Sequence, residues 1–345
     1  MNVADFDYDL PPRFIAQTPV ERRDASRLMR LDRATGAISH HIFADIAEML
    51  LPNDVVVLNN TRVIPARLQA RKAETGGRAE ILLLKRLDER RWEALIGGRN
   101  IRTGLQLAFS GSDLTCSVVQ ELDKAQRVVE FSRPVEPLLR DQGEMPLPLY
   151  ISAALTDGER YQTVYSSIEG SAAAPTAGLH FTRELLDKIQ DHGVRLAYCT
   201  LHIGLDTFQP VIAERVEEHK IHSEYARLDT ENATIINDGI RAGGRVIAVG
   251  TTSARTLETA AKRAAATGDQ HRAVAPLADH TRLFITPGYR WRAVDAMVTN
   301  FHLPKSTLLM MLSAFAGREA MLQAYETAKA ADYRFYSFGD AMFVV

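Results

Sequence analysis

Arg245-Val246-Ile247-Ala248-Val249-Gly250-Thr251-Thr252-Ser253 is the stretch that decides the fold. Val246 to Val249 run apolar without alternation, the pattern of a strand buried on both faces in a parallel sheet. A glycine and three hydroxyl residues follow, and a helix is expected over Ala254–Thr267. Asp54-Val55-Val56-Val57-Leu58 is a second strand of the same type, and Ala293–Val298 a third. Between them, Thr182 caps a helix over Arg183–His192 that stops at Gly193, and the strand Val194–Leu201 follows. Asp229 or Thr230 opens another helix that ends at Gly243-Gly244. Strands alternating with helices predict an α/β sheet.

One region breaks that rhythm. Ala79–Leu84, Trp92–Ile96, Leu105–Phe109, Leu114–Val119 and Arg127–Phe131 are short strand patterns separated by glycine-rich or charged turns. Closely spaced short strands predict a small antiparallel β-barrel. The expected fold class is therefore α/β, a main domain of residues 1–62 plus 151–345 with a β-barrel domain inserted at 63–150. Charge is also uneven. Between Asn60 and Arg102 stand eleven Lys or Arg and five acids, an excess of six positive charges on a chain of net charge −2. A local basic face can position phosphates without general stickiness, although a solvated sheet surface reads the same way.

A hydrophobic content of 46% and a charged content of 24% belong to a globular protein. The first residues carry neither a basic nor an apolar leader segment, and no run is long enough to span a bilayer, so no membrane partner is expected. Cys116 and Cys199 form neither a CxxC pair nor a disulfide framework, which fits a reducing cytoplasm. A monomer is expected.

Four strand ends carry polar side chains. They are Asn59-Asn60-Thr61-Arg62, the His202-Ile203-Gly204-Leu205-Asp206-Thr207-Phe208 loop, Gly250-Thr251-Thr252-Ser253, and Thr299-Asn300-Phe301-His302 with Ser306 opening a helix beyond it. Ligands of open α/β sheets collect outside the carboxyl ends of strands. Gly170-Ser171-Ala172-Ala173-Ala174-Pro175-Thr176-Ala177-Gly178-Leu179-His180-Phe181 reads as a binding loop rather than core, its small residues allowing close backbone approach. His219 and His222 are spaced i, i+3 rather than i, i+4, which argues against a zinc pair. Arg334, Tyr336 and Asp340 mix aromatic and charged groups that suit either base stacking or docking of the C-terminus. A glycine-rich dinucleotide loop, a Walker A lysine and a nucleophile elbow are all absent from the sequence.

Taken in register, further blocks extend these: Phe6-Asp7-Tyr8-Asp9-Leu10-Pro11, Arg23-Asp24-Ala25-Ser26-Arg27-Leu28, Asn59–Leu68, Glu159–Tyr165, Leu201–Val211, His219–Tyr225, Gly250–Glu258, Thr299–Gly317 and Tyr333–Met342. Over almost its full length the chain thereby resembles the S-adenosylmethionine:tRNA ribosyltransferase-isomerases of queuosine biosynthesis. Asp206, Leu149 and Lys305 depart from the family's pattern, Asp206 by adding a charge to a ligand loop. The resemblance implies a small β-barrel set into an α/β domain. It implies transfer of the ribosyl unit of S-adenosylmethionine to 7-aminomethyl-7-deazaguanine at the wobble position of tRNA. It also implies no metal and no bound cofactor, S-adenosylmethionine being a consumed substrate.

The chemistry so implied needs a base, a proton donor for departing adenine, and anchors for methionine and the ribose hydroxyls. His180, His202 and His302 are the expected proton carriers. Thr251 and Thr252 are expected at the methionine carboxylate, Asn300 and Ser306 at hydroxyls, Phe181 stacked on adenine, and Arg62 and Arg67 at tRNA phosphates. Asn59, Thr61, Ser171, Pro175, Thr176, Gly178, Gly204, Thr207, His219, His222, Glu224, Gly250, Arg255, Arg334, Tyr336 and Asp340 complete the expected substrate-binding set. Three rivals are a methyltransferase using the same donor, a non-catalytic RNA-binding barrel and a metal-dependent hydrolase.

Overall fold

The computed structural model describes residues 1–122, 125–204, 211–268 and 273–345. They form two compact units: residues 1–61, 149–168 and 175–345, and residues 62–148 with 169–174.

The larger unit is built on a nine-stranded sheet. Val55–Asn59, five residues all buried, lies near its middle, with Arg195–Leu201 on one side and Val246–Val249 on the other, both parallel to it. Ala296–Asn300 runs parallel beyond Val246–Val249. The outer strands mix direction: Ala341–Val344 is antiparallel to Ala296–Asn300, and Glu224–Leu228 is antiparallel to Arg195–Leu201. Each of the four parallel strands thus points its carboxyl end to the same edge.

One face of this sheet presents Val56, Leu58, Ile247, Val249 and Val298 to Phe43, Phe181, Leu185, Leu186 and Ile189. The last three lie on the helix Arg183–Asp191, whose spacing aligns them on one stripe. Thr182 Oγ1 accepts from Leu185 N at 3.1 Å to start it, and Gly193, at φ 81°, ends it in the left-handed region. The helix Gly250–Ala266 packs against the parallel strands. It begins four residues earlier than the hydroxyl-rich sequence suggested, because Gly250 (φ 86°) makes the turn within one residue. Ser253 Oγ and Thr256 Oγ1 then bond back to Val249 O and Thr252 O at 2.8 and 3.0 Å, so those hydroxyls fit inside the helix. Asp229 caps Thr230–Arg241 through Asn232 N at 2.9 Å. The third expected strand ends at Asn300 rather than Val298, which puts Thr299 and Asn300 inside the sheet.

The smaller unit is a closed six-stranded antiparallel barrel in the order Gln126–Phe131, Arg91–Gly97, Arg78–Arg86, Arg67–Lys72, Gln106–Ala108, Thr115–Glu121. Alternation fills it: Trp92, Ala94 and Ile96 are buried, while Arg91, Glu93 and Leu95 are more open. Arg71, Arg78, Lys85, Arg99 and Arg102 are exposed on its outside. Arg67–Lys72 was missed in the sequence because Gln69, Arg71 and Lys72 mask its two inward residues, Leu68 and Ala70.

Candidate functional site

Adjacent parallel strands deliver their terminal residues side by side, and hydrogen bonds join them. Asn59 Nδ2 donates to Leu201 O and Thr252 Oγ1, both at 3.1 Å, and Asn59 Oδ1 accepts from Thr61 N at 3.1 Å and Leu201 N at 3.0 Å. One buried amide therefore links three of the four strand ends. Thr61 Oγ1 meets His202 Nδ1 at 2.8 Å. The Thr61 hydroxyl also lies 3.5 Å from Ile168 O, and which of Thr61 Oγ1 and His202 Nδ1 donates to the other follows from the imidazole tautomer. Nε2 of His202 has no hydrogen-bond partner among the described residues. The ring is half-buried, stacks on Tyr225 at 5.7 Å, and burial lowers its pKa.

A cavity opens beside this network. It is walled by His222, Glu224 and Arg255, by Thr251 and Thr252 at the N-terminus of Gly250–Ala266, and by Phe284 with Leu308 and Met311. Glu224, only 5% exposed, accepts from His222 Nε2 at 3.0 Å and Gly204 N at 3.0 Å, and forms an ion pair with Arg255. The contacts with His222, Arg255 and Gly204 outweigh burial and hold the Glu224 carboxyl below its ordinary range. Arg255 is itself fixed by Leu283 O, His222 O and Thr281 O at 3.0, 2.9 and 3.1 Å. His219 packs edge-on against Phe284 at 5.5 Å. Among the described residues no group of three or more His, Cys, Asp or Glu side chains is disposed around a metal position.

Several expected site residues are held elsewhere. The small-residue run is core, not an open loop: from Ser171 to Phe181 only Thr176 is partly exposed. Gly178 shows why, since a Cβ there would overlap the Tyr165 hydroxyl. Phe181 is 0% exposed and packs edge-on to Phe43 at 4.9 Å, so it has no face left for adenine. Burial of such a ring is worth about 2–3 kcal/mol. His180 is buried between Ser26 Oγ at 2.7 Å and Asn300 Nδ2 at 3.2 Å. Ser26 donates to Arg23 O at 3.2 Å, so Nδ1–H of His180 donates to Ser26 and Nε2 accepts from Asn300. Burial first, then the charges of Arg334 and Arg23, push its pKa down to about 3. His302 is pushed down to about 3 by burial and bonds Thr299 Oγ1 through Nε2 at 2.7 Å.

Asn300 spends its amide on His180, Tyr336 O (3.1 Å) and Thr176 Oγ1 (3.1 Å). Ser306 spends its hydroxyl as a helix cap, accepting from Leu309 N at 3.2 Å and donating to Leu303 O at 2.7 Å. Both therefore spend their donor hydrogens within the protein. Asp340, 2% exposed, accepts from Arg27 N and Arg334 N at 3.0 and 2.8 Å and docks the C-terminal segment, as Tyr336 does through its carbonyl. Pro175 is buried at the start of the turn Thr176–His180. Ser171 belongs to the barrel unit and donates to Ala173 O at 2.7 Å. Arg62 and Arg67 also belong to that unit, and Arg67 lies 3.7 Å from Glu80. Thr207, with Asp206, lies outside the described residues. Phe284, Leu308 and Met311 were not anticipated, since an apolar residue in a loop or on a helix carries no signal that it faces a cavity.

The parallel sheet with its polar carboxyl edge, joined to a closed barrel, defines a two-unit α/β enzyme. The comparisons narrow the class. The model of the family described as "Queuosine biosynthesis protein" matches residues 3–344. S-adenosylmethionine:tRNA ribosyltransferase-isomerase of Acetivibrio thermocellus is 51% identical over 347 aligned residues, 100% of each chain. The crystal structure of S-adenosylmethionine tRNA ribosyltransferase from Thermotoga maritima shares 37% identity and a TM-score of 0.55, covering 99% of this chain and 100% of the other. The chain belongs to the queuosine biosynthesis protein family.

Proposed function

We propose that this protein transfers and isomerises the ribosyl moiety of S-adenosylmethionine onto 7-aminomethyl-7-deazaguanine at the tRNA wobble position, yielding epoxyqueuosine in tRNA and releasing adenine and methionine. The observation that carries the reading is the full-length 51% identity to an enzyme of that name, in a chain whose cavity gathers the Thr251 and Thr252 hydroxyls with His222, Glu224 and Arg255. The donor is consumed, so no resident cofactor or metal is needed. The reading places the enzyme in the cytoplasm, acting as a monomer.

The sulfonium acidifies the ribose C5′ hydrogens. A base removes one, adenine leaves as the ring opens, the substrate amine attacks, and epoxide closure expels methionine. Of the three expected proton carriers, His202 suits the base: Thr61 holds its Nδ1, its Nε2 has no hydrogen-bond partner among the described residues, and burial lowers its pKa so that the ring stays neutral. Thr251 and Thr252 offer hydroxyls and helix N-terminal amides to the methionine carboxylate. Phe284, on the cavity wall, takes the adenine-stacking role expected of Phe181.

Donor labelled separately in methyl and ribose tests the reading. Ribose label in tRNA, with free adenine and methionine, is the expected result. Methyl label in tRNA would establish the methyltransferase instead, and tRNA binding with no adenine released would leave only an RNA-binding protein.

A further inference from the structure

A second, smaller concavity lies in the α/β unit, lined in part by Leu179 and His180. Arg23 and Arg160 face it, with Pro19, Val20, Phe338 and Gly339. Arg23 donates from Nη1 to Leu179 O at 3.2 Å and from Nη2 to Glu159 O at 2.8 Å. Arg160 donates from Nη1 to Glu21 O at 2.9 Å and from Nη2 to Val20 O. Every one of these acceptors is a neutral backbone carbonyl. Arg245 and Arg255 behave otherwise, each pairing with a buried carboxylate, Asp54 and Glu224.

The carbonyls take two of the five N–H donors on each guanidinium. Arg160 Nε is buried with no hydrogen-bond acceptor among the described residues, whereas Nη2 of the neighbouring Arg334 lies 3.8 Å from Asp340 Oδ1. Asp157 and Glu159 are exposed, and each acts on Arg23 less than the like charge of Arg160 does. Positive charge is therefore concentrated here, partly desolvated and held in fixed forks by loop carbonyls. His180, which also lines the concavity, is neutral and adds none of it.

We infer that Arg23 and Arg160 form a clamp for one phosphate group of the RNA backbone. Two planar guanidiniums match the several oxygens of a phosphodiester, and forks already immobilised by backbone bonds lose little freedom on binding. The inference rests on the proposed function for its partner, tRNA, and adds a contact outside the cavity and outside the barrel.

Equilibrium binding of tRNA across a salt series, for the wild type, Arg160→Gln and Arg160→Lys, tests it. The expected result for Arg160→Gln is a Kd for tRNA higher by about 5–10-fold and a salt slope smaller by about 1. Arg160→Lys restores the slope, because the charge returns, while staying about 2–3-fold weaker for lack of the fork. Binding of S-adenosylmethionine without tRNA stays where it was. A thermal unfolding midpoint for each variant checks folding, and Arg160→Lys carries the test if Arg160→Gln does not fold. An unchanged tRNA Kd and slope in folded protein would overturn the clamp, and so would weaker donor binding, which would make the pair a carboxylate site. Adenine release by the wild type is scored separately, so failure of the clamp and failure of the proposed reaction are told apart.

Discussion

His180 and His202 belong to two regions that look alike in sequence and differ in kind. Each histidine follows a structured segment, each sits among Gly, Thr and Ser, and each bonds a hydroxyl at 2.7 or 2.8 Å. Around His180 both ring nitrogens are taken, by Ser26 and Asn300, and the ring stacks on Phe43 at 4.9 Å. Around His202 one nitrogen is held, and the other has no hydrogen-bond partner among the described residues. A proton carrier needs a fixed tautomer and a free lone pair together. The first region supplies rigidity by using up both nitrogens, and the second keeps one for chemistry.

The comparison breaks most sharply in turnover. His202→Ala is expected to lower kcat for adenine release by about 10²–10⁴-fold, whereas His180→Asn costs stability and far less rate. If the two variants exchange these effects, the assignment of the base is wrong. Next in size is the charge pair of the cavity wall. Glu224→Ala leaves Arg255 buried beside no carboxylate and should cost about 3–5 kcal/mol in urea unfolding. Gly178→Ala forces a methyl against the Tyr165 hydroxyl in the closed region and should cost about 1–3 kcal/mol by the same measurement.

Acid separates the two regions further. His180 and His302 have folded pKa values of about 3, below the ordinary 6.5, so the unfolded chain binds more protons between those values. Stability is therefore full above pH 6.5 and falls as pH drops towards 3, by about 1.4 kcal/mol per pH unit for each such ring. His180→Asn removes one ring's share of that slope, measurable as urea midpoints across pH. His202 is shifted the same way, so the acid limb of kcat/KM should lie below pH 6.5 and vanish in His202→Ala. An acid limb above 6.5 would point to another base.

Much of the fold was readable because burial leaves a local mark. Val55 to Leu58 and Val246 to Val249 are apolar on both faces, and only the centre of a parallel sheet buries both. Thr182, Asp229 and Ser306 announced helix starts through side chains that cap them. Trp92, Ala94 and Ile96 announced a barrel strand by alternation. The strand ends were legible to within two residues, at Leu58 for Asn59 and Val298 for Asn300, since polar residues after an apolar run have few other reasons to be there.

What could not be read was which of those polar groups remain free. Asn300 and Ser306 have the same chemistry as Thr251 and Thr252, yet the first two spend their groups inside the protein and the second two face a cavity. Small residues from Ser171 to Gly178 serve close packing as well as close ligand approach, and only the position of Tyr165 decided for packing. Phe284 became a cavity wall, and Phe181 a core residue, through contacts distant in sequence. By itself the sequence determined the family, the elements and the edge of the sheet where chemistry gathers, because those follow from local periodicity, caps and residue type. Tertiary structure alone decided which histidine has both ring nitrogens taken and which arginines bond backbone carbonyls, because hydrogen-bond partners and burial are set by residues that meet only when the chain is folded.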